Sequence, residues 1–202
     1  MFRRTPHDRA ILVIALPAFG ALIAEPIYVL TDTAIVGHIS TEALAGLAVA
    51  AAILLTVFSM LIFLAYGTTG IVGRLLGSGQ HREAATQGIQ AVWLAIFSGA
   101  VVTVGIAIWS GALVDLFEPS ALVRKEALTY LRISLVGLVG QLIVMSGTGY
   151  LRGLQDTRTP LMVAIAGALI NLGLELVLVF IFDLGIAGSA WSTVVAQWLC
   201  AL

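Results

Sequence analysis

Charged residues are scarce in this sequence, and neither sign is in excess. Only 10% of the 202 residues are charged, and the formal net charge is −1. A chain without a basic surplus has no electrostatic basis for binding nucleic acid. The composition is instead 60% hydrophobic with a mean hydropathy of +1.07, which is typical of a protein that crosses a membrane several times.

Cysteine and histidine are also rare, which argues against two further classes of site. The single cysteine, Cys200, excludes an internal disulfide and a cysteine-rich metal site. The three histidines lie near predicted helix ends or in loops, so none can act as a base beside Ser146 at membrane depth. We therefore expect a protein that is not an enzyme, with no catalytic residue and no covalently bound cofactor.

Long hydrophobic runs fill the rest of the chain. Most exceed the roughly 20 residues that a membrane-spanning helix needs, and short polar breaks separate them. They predict an all-α polytopic membrane protein, a bundle of six transmembrane helices at about 10–36, 46–72, 85–110, 122–150, 159–182 and 186–202. The first run is longer than a cleaved signal peptide, and the last is short, so we expect further chain beyond it.

Basic residues predict the orientation of this bundle. With the N-terminus in the cytoplasm, seven arginines lie inside and three basic residues outside, in agreement with the positive-inside rule. The inner set is Arg3, Arg4, Arg9, Arg74, Arg82, Arg152 and Arg158, and the outer set is Arg124, Lys125 and Arg132. We expect a multi-pass protein of the plasma (inner) membrane with membrane lipid around it and a cytoplasmic N-terminus.

Two carboxylates lie within the first apolar run. Glu25 and Asp32 are seven positions apart, so they project from the same helix face. A charged side chain at the bilayer centre costs about 2.5–3.5 kcal/mol on insertion scales. Such an acid must therefore face a partner, a cation or water, which favours a coupling-ion site in a transporter.

Polar residues in the last two runs lie at a similar depth. Asn171 and Glu175 are four positions apart, as are Thr193 and Gln197, so each pair shares a helix face. From the helical rise, Asp32, Glu175 and Thr193 all lie roughly 7–12 Å below the outer surface. Their oxygen atoms suit a proton or a hard monovalent cation. Interhelical hydrogen bonding remains the alternative role for Asn171, Thr193 and Gln197.

Two prolines lie in the first apolar run. Pro17 and Pro26 each remove a helix hydrogen bond, so a static kink and a hinge are both open, and the nearby Asp32 favours the hinge. The candidate cavity residues, which nothing in the sequence ranks, are Glu25, Tyr28, Tyr66, Gln141 and Gln197.

Four stretches carry a recognisable pattern, namely Thr31-Asp-Thr-Ala-Ile-Val-Gly37, Tyr150-Leu-Arg-Gly-Leu-Gln-Asp-Thr-Arg-Thr-Pro160, and Ile170-Asn-Leu-Gly-Leu-Glu175 with Gly185–Gln197. With them the chain resembles the multidrug and toxic-compound extrusion (MATE) family, most closely its DinF-like branch. The resemblance covers nearly the whole chain. It implies the N-terminal half of a 12-helix transporter, with a C-terminal six-helix lobe as partner.

The resemblance also implies a function and a set of site residues. Family members export organic cations or amphipathic small molecules by alternating access, in exchange for entering H⁺ or Na⁺. Their first-helix hinge proline maps onto Pro17. Their N-lobe cation site maps onto Asp32, Asn171, Glu175 and Thr193, with a backbone carbonyl near Ser189. Glu175 stands where an aspartate is usual in relatives with a defined Na⁺ site, so both ions stay open.

Two other transport functions, a channel and a flippase, fit the sequence less well. A channel would show polar residues along one helix face, whereas here they gather at one depth. A lipid-linked-sugar flippase of the same broad superfamily would have several basic residues inside its spans, and here Arg132 alone is borderline. We therefore expect a cation-coupled multidrug antiporter, with the flippase as the alternative.

Overall fold

The computed structural model describes residues 6–202, with the backbone alone at 6–14, 21, 24 and 25. This range is helical apart from short turns and loops, without a strand. The helices are α1 (Pro6–Gly37), α2 (Thr41–Met60), α3 (Phe63–Gly77), α4 (His81–Asp115), α5 (Ala121–Gly153), α6 (Arg158–Leu176) and α7 (Gly185–Ala201), and a π-helical turn (Val177–Ile181) follows α6. The predicted all-α class is confirmed.

Helix α5 forms the centre of the bundle. It packs against α2, α3, α4 and α7, while α6 packs between α1 and α7. Three leucines of α5 are almost completely buried, Leu131, Leu138 and Leu142. Because the leucines occur at 131, 138 and 142, spacings of seven and four place them along one helix face. The neighbouring helices pack around this apolar face of α5.

Within the described part of the chain, four helical stretches are long and apolar enough to cross a membrane, namely Thr41–Gly77, His81–Asp115, Ala121–Gly153 and Arg158–Ile181. Large apolar side chains cover their outer faces, including Trp93 at 67% exposure and Ile108 at 67%. A soluble bundle would carry polar residues on these faces. Their composition is that of a surface solvated by lipid.

The second apolar run is interrupted, which the sequence analysis did not predict. Instead of one helix, α2 ends at Met60 and α3 begins at Phe63, with Leu61 and Ile62 in a turn between them. The amide of Leu61 donates to the carbonyls of both Val57 and Phe58, which tightens the last turn of α2. The hydroxyl of Ser59 also bonds back to its own helix, a contact that commonly bends helices.

One glycine permits the close approach of α5 to α3. A Cβ at Gly149 would lie 2.4 Å from the carbonyl oxygen of Ala65 and 2.9 Å from its Cα. The hydroxyl of Thr69 donates a 2.8 Å hydrogen bond to the carbonyl of Gly149 at the same contact. Small residues with a crossing hydrogen bond are the usual means by which helices associate in membranes.

The turn between α5 and α6 is held by Asp156. Its carboxylate accepts hydrogen bonds from the amides of Arg158 and Thr159 and from the Thr159 hydroxyl. These bonds occupy amide groups that the first turn of a helix leaves unpaired. The hydrogen bonds, of which that from the Thr159 hydroxyl contributes most, favour the ionised carboxylate. They therefore lower the pKa of Asp156.

Candidate cation site

The centre of the candidate site is a contact between α1 and α7. Asp32 is buried, with 7% of its surface exposed, and Ser189 is completely buried. The Ser189 hydroxyl donates a 2.8 Å hydrogen bond to Oδ1 of Asp32. One neutral hydroxyl satisfies only part of the acceptor capacity of an ionised carboxylate.

Glu175 brings a second carboxyl group to the same place from α6. It is fully buried, and its carboxyl group interacts electrostatically with that of Asp32. Neither Glu175 oxygen accepts a hydrogen bond from any described protein donor. Two ionised carboxylates have only acceptor atoms, so their contact is favourable only with a proton or a cation between them.

A polar network joins α6 to α7 beside the acids. The side-chain amide of Asn171 donates to the hydroxyl oxygens of Ser192 at 3.1 Å and Thr193 at 3.2 Å. Both hydroxyls donate in turn to the main-chain carbonyl of Ser189, at 2.7 and 3.2 Å. The network fixes the position of Ser189, whose side chain holds Asp32.

Two tyrosines contact this network from other helices. The Tyr28 hydroxyl on α1 lies 3.0 Å from Oγ1 of Thr193. Tyr130 on α5 is buried and also faces Thr193, and it lies near both acids. Tyr130 was not among the residues predicted from the sequence. Its one signal was a phenolic hydroxyl within an apolar helix, which needs a polar partner when buried.

The five predicted cation-site residues, Asp32, Asn171, Glu175, Ser189 and Thr193, therefore come together in the structure. Of the candidate cavity residues, Tyr28 joins them directly. Gln197 lies one turn below Thr193, where its carbonyl oxygen packs against Gly137 of α5 without a hydrogen-bond partner among the described residues. Its surroundings are a helix interface rather than an open cavity.

The other predicted residues with described side chains do not join this cluster. Tyr66 is 63% exposed on α3, and Gln141 is half-buried on α5. Pro17 is half-buried and Pro26 exposed, and α1 continues as a helix through both. The side chain of Glu25 lies outside the described part of the chain, so its role stays a prediction.

A π-helical turn, which the sequence analysis also missed, follows the second acid. It begins at Val177, two residues after Glu175, and ends at Ile181. The backbone at Gly188 approaches the carbonyl of Leu178 so closely that a Cβ there would lie 3.0 Å from it. This turn brings the start of α7 against the end of α6, which is how Ser189 reaches the acids. Single π turns in α-helices are frequent at functional sites.

Chemically, the site is a buried cluster of hard oxygen ligands. Among the residues with described side chains, neither acid forms an ion pair, and the one ion pair joins Asp115 to Arg124, far along the chain from both acids. The described range also holds no group of three or more acidic, histidine or cysteine side chains suited to a metal ion. Two carboxylates, hydroxyls and a main-chain carbonyl suit a proton or one monovalent cation better than zinc.

The helix lengths, the lipid-facing surfaces and the buried acids together define a multi-pass membrane protein of the transporter type. The MatE family profile matches residues 17–177, and the chain belongs to that family. This confirms the resemblance noted in the sequence, including its assignment to the N-terminal lobe.

Curated relatives align over almost the entire chain. It is 27% identical over 198 residues to the "Probable multidrug resistance protein NorM" of Thermotoga maritima and 30% identical over 203 residues to "DNA damage-inducible protein F" of Escherichia coli. These alignments cover 96% and 98% of this chain but 42% and 43% of the relatives. The chain thus spans about two fifths of the length of the curated relatives that it matches.

Solved structures show the same fold. A MATE protein in a bent conformation superposes with a TM-score of 0.90 at 20% identity, covering 96% of this chain and 43% of the other. A transporter of the MOP superfamily from Pyrococcus furiosus superposes with a TM-score of 0.89, also at 20% identity. The chain therefore has the fold of about two fifths of each of these structures.

Proposed function

We propose that this chain is the N-terminal lobe of a cation-coupled multidrug antiporter. The name of the Thermotoga maritima relative, a probable multidrug resistance protein, supports multidrug efflux as the activity. In this proposal the complete transporter exports organic cations or amphipathic compounds while H⁺ or Na⁺ enters the cell. A C-terminal six-helix lobe is the partner that completes the substrate path.

The convergence of Asp32 and Glu175 is the observation that carries the proposal. Two acids from helices more than 100 positions apart meet in a buried place, and Glu175 has no described hydrogen-bond partner. A merely structural pair would be expected to have a basic partner or a complete set of donors. A proton or cation that binds and leaves explains both the contact and the missing donors.

Occupancy of this site would change how α1 lies against α6. With the site filled, the ligand bridges the carboxylates of Asp32 and Glu175, and with the site empty they repel each other. Since Pro17 and Pro26 weaken α1 at two points, a change at Asp32 can bend the helix. A helix that bends with ion occupancy provides the conformational step that alternating access requires.

We further propose a plasma (inner) membrane location with a cytoplasmic N-terminus. The arginines that follow α3 and flank the α5–α6 turn support this orientation through the positive-inside rule. The site then lies near the outer face, where it exchanges with the exterior.

The lipid-linked-sugar flippase receives less support from the structure. A carrier of anionic lipid-linked sugars would be expected to direct basic side chains into its path. Arg132, the borderline candidate, is exposed on α5 and donates to the hydroxyl of Ser110 at 3.4 Å, on the α4 side of the bundle. Acids and hydroxyls form the described polar interior near Asp32 instead.

The test is coupled efflux by the full-length protein in vesicles. Asp32→Asn keeps the side-chain size and an acceptor for Ser189, but it removes the charge. We expect drug efflux driven by a Na⁺ or pH gradient to fall by roughly tenfold or more, the scale of a strong coupling energy. Membrane insertion should be unchanged.

The matched control is Glu118→Gln, which removes a carboxylate from the loop between α4 and α5. It should leave driven efflux at the wild-type rate. Full coupled transport by Asp32→Asn would overturn the proposal. Varying Na⁺ at a fixed pH gradient identifies the ion, because a proton-selective site gives no Na⁺ dependence and a Na⁺ site gives a steep one.

A further inference from the structure

A cavity of about 330 Å³ opens where α2, α5 and α7 begin. We call it the outer vestibule, and it is lined by residues that include Ala43, Lys125, Glu126, Thr129, Asp183 and Ile186. Lys125 and Asp183 are exposed, whereas Ala43 and Ile186 are buried at 1% and 3% exposure. The vestibule thus has a charged rim and an apolar floor.

The helices that wall the vestibule continue directly to the acid site. Four positions separate Glu126 from Tyr130 on α5, and four separate Gly185 from Ser189 on α7. Residues four apart share a helix face and are about 6 Å apart along the axis. The faces that line the vestibule therefore also line the site, one turn deeper.

An apolar layer lies between the outer vestibule and the acid site. Ala43 and Ile186 of the vestibule floor belong to the same packed cluster as Val36 and Tyr130. Val36 is one turn from Asp32 on α1, and Tyr130 faces Thr193 of the site. Movement of α1 against α7 would open this layer.

We propose that the outer vestibule is the access route by which the coupling cation reaches Asp32 and Glu175. This inference rests on the proposed function. Glu126 and Asp183 attract the cation to the rim, and Lys125 opposes it, so the vestibule sets the local cation concentration. A unit charge about 10 Å away in water changes that concentration roughly twofold, and salt screens the effect.

The experiment measures the external concentration of coupling cation that gives half-maximal efflux in vesicles containing the full-length protein. The driving ion is identified first in the wild type by varying Na⁺ at constant pH and pH at constant Na⁺. Glu126→Gln and Asp183→Asn should each raise the half-saturating concentration roughly twofold at low ionic strength, and the double variant roughly fourfold. Lys125→Gln should lower it by about the same factor.

Three features distinguish electrostatic attraction of the cation from a structural effect of the substitutions. The maximal rate should stay at the wild-type value, the shifts should shrink when choline chloride is added, and the sign should reverse for Lys125→Gln. Glu118→Gln serves as the control, since it removes a carboxylate from the same end of the bundle outside the vestibule. It should leave the half-saturating concentration unchanged.

The inference and the proposed function fail in different ways. If Asp32→Asn abolishes coupled efflux but the double variant keeps the wild-type half-saturating concentration, the access route is wrong and the cation site stands. A rise in that concentration for Lys125→Gln would also overturn the access route. If Asp32→Asn transports normally, the cation site itself is wrong.

Discussion

The hydroxyl of Ser189 donates a 2.8 Å hydrogen bond to the carboxylate of Asp32, joining α7 to α1 across 157 positions of sequence. The same Ser189 accepts hydrogen bonds at its main-chain carbonyl from Ser192 and Thr193. One residue therefore links the first acid to the network that Asn171 organises. The site acts as a unit because its members share this residue.

Removal of the Asn171 side chain should loosen this unit without removing either acid. In Asn171→Ala, Ser192 and Thr193 each lose a donor but keep their bonds to Ser189. Buried hydrogen bonds between membrane helices contribute about 0.6 kcal/mol each, up to about 1.7. We expect thermal unfolding in detergent to show a loss of about 1 kcal/mol, and the half-saturating cation concentration to rise.

Ser98→Ala is the control for this change, because that hydroxyl bonds only to carbonyls of its own helix. It should leave both quantities near wild type. If Asn171→Ala matched Ser98→Ala in both measurements, the network would have no part in holding the site.

Two glycines of α5 provide a paired test of helix packing. A Cβ at Gly149 would meet the Ala65 backbone, whereas a Cβ at Gly147 would meet nothing within 4 Å. Gly149→Ala should lower stability by roughly 1–3 kcal/mol through overpacking. Gly147→Ala should be neutral or stabilising by up to about 1 kcal/mol, since alanine favours helix. Equal melting temperatures for the two variants would contradict the α3–α5 contact.

The prolines of α1 can be tested for a role in motion. Pro17→Ala restores a backbone hydrogen bond and stiffens the helix, an effect of about 3 kcal/mol in a helix interior. We expect turnover to fall several-fold while substrate binding stays near wild type, as for a hinge. Pro26→Ala is the comparison at the exposed position. An unchanged turnover in both variants would leave the prolines as packing elements.

The Asp156 turn gives a prediction with a defined pH dependence. Because the folded protein lowers the pKa of this carboxyl, its stabilisation is present above the unfolded pKa of about 3.9 and is lost as the pH falls through the folded value. Asp156→Ala should cost about 1 kcal/mol near pH 7, with the difference from wild type shrinking below pH ~4. Asp156→Asn, which keeps an acceptor, should lose less and show no such pH dependence.

The sequence contained enough information to predict the helical bundle and most of the site. Lipid-facing surfaces require apolar runs, and the cost of burying an acid makes Asp32 and Glu175 stand out within them. Their depth followed from the rise of a straight helix. The structure brings them together with Asn171 and Thr193.

Three other features of the structure could not be predicted from the sequence. The turn at Leu61 and Ile62 lies within 47–66, a mostly apolar stretch without proline or glycine. The π-helical turn over Val177–Ile181 is likewise apolar and packs closely against Gly188. Tyr130 resembles any aromatic core residue until its neighbours are known. Each depends on tertiary contacts, which local sequence patterns do not record.

The central claim is that Asp32 and Glu175 share one proton or cation. Its most direct test is an equilibrium measurement of cation binding to the purified full-length protein. Binding of radioactive Na⁺ is measured at constant pH, and proton release is measured with a pH indicator. We predict a saturable site in the wild type that both Asp32→Asn and Glu175→Gln remove. Wild-type binding by both variants would contradict the account.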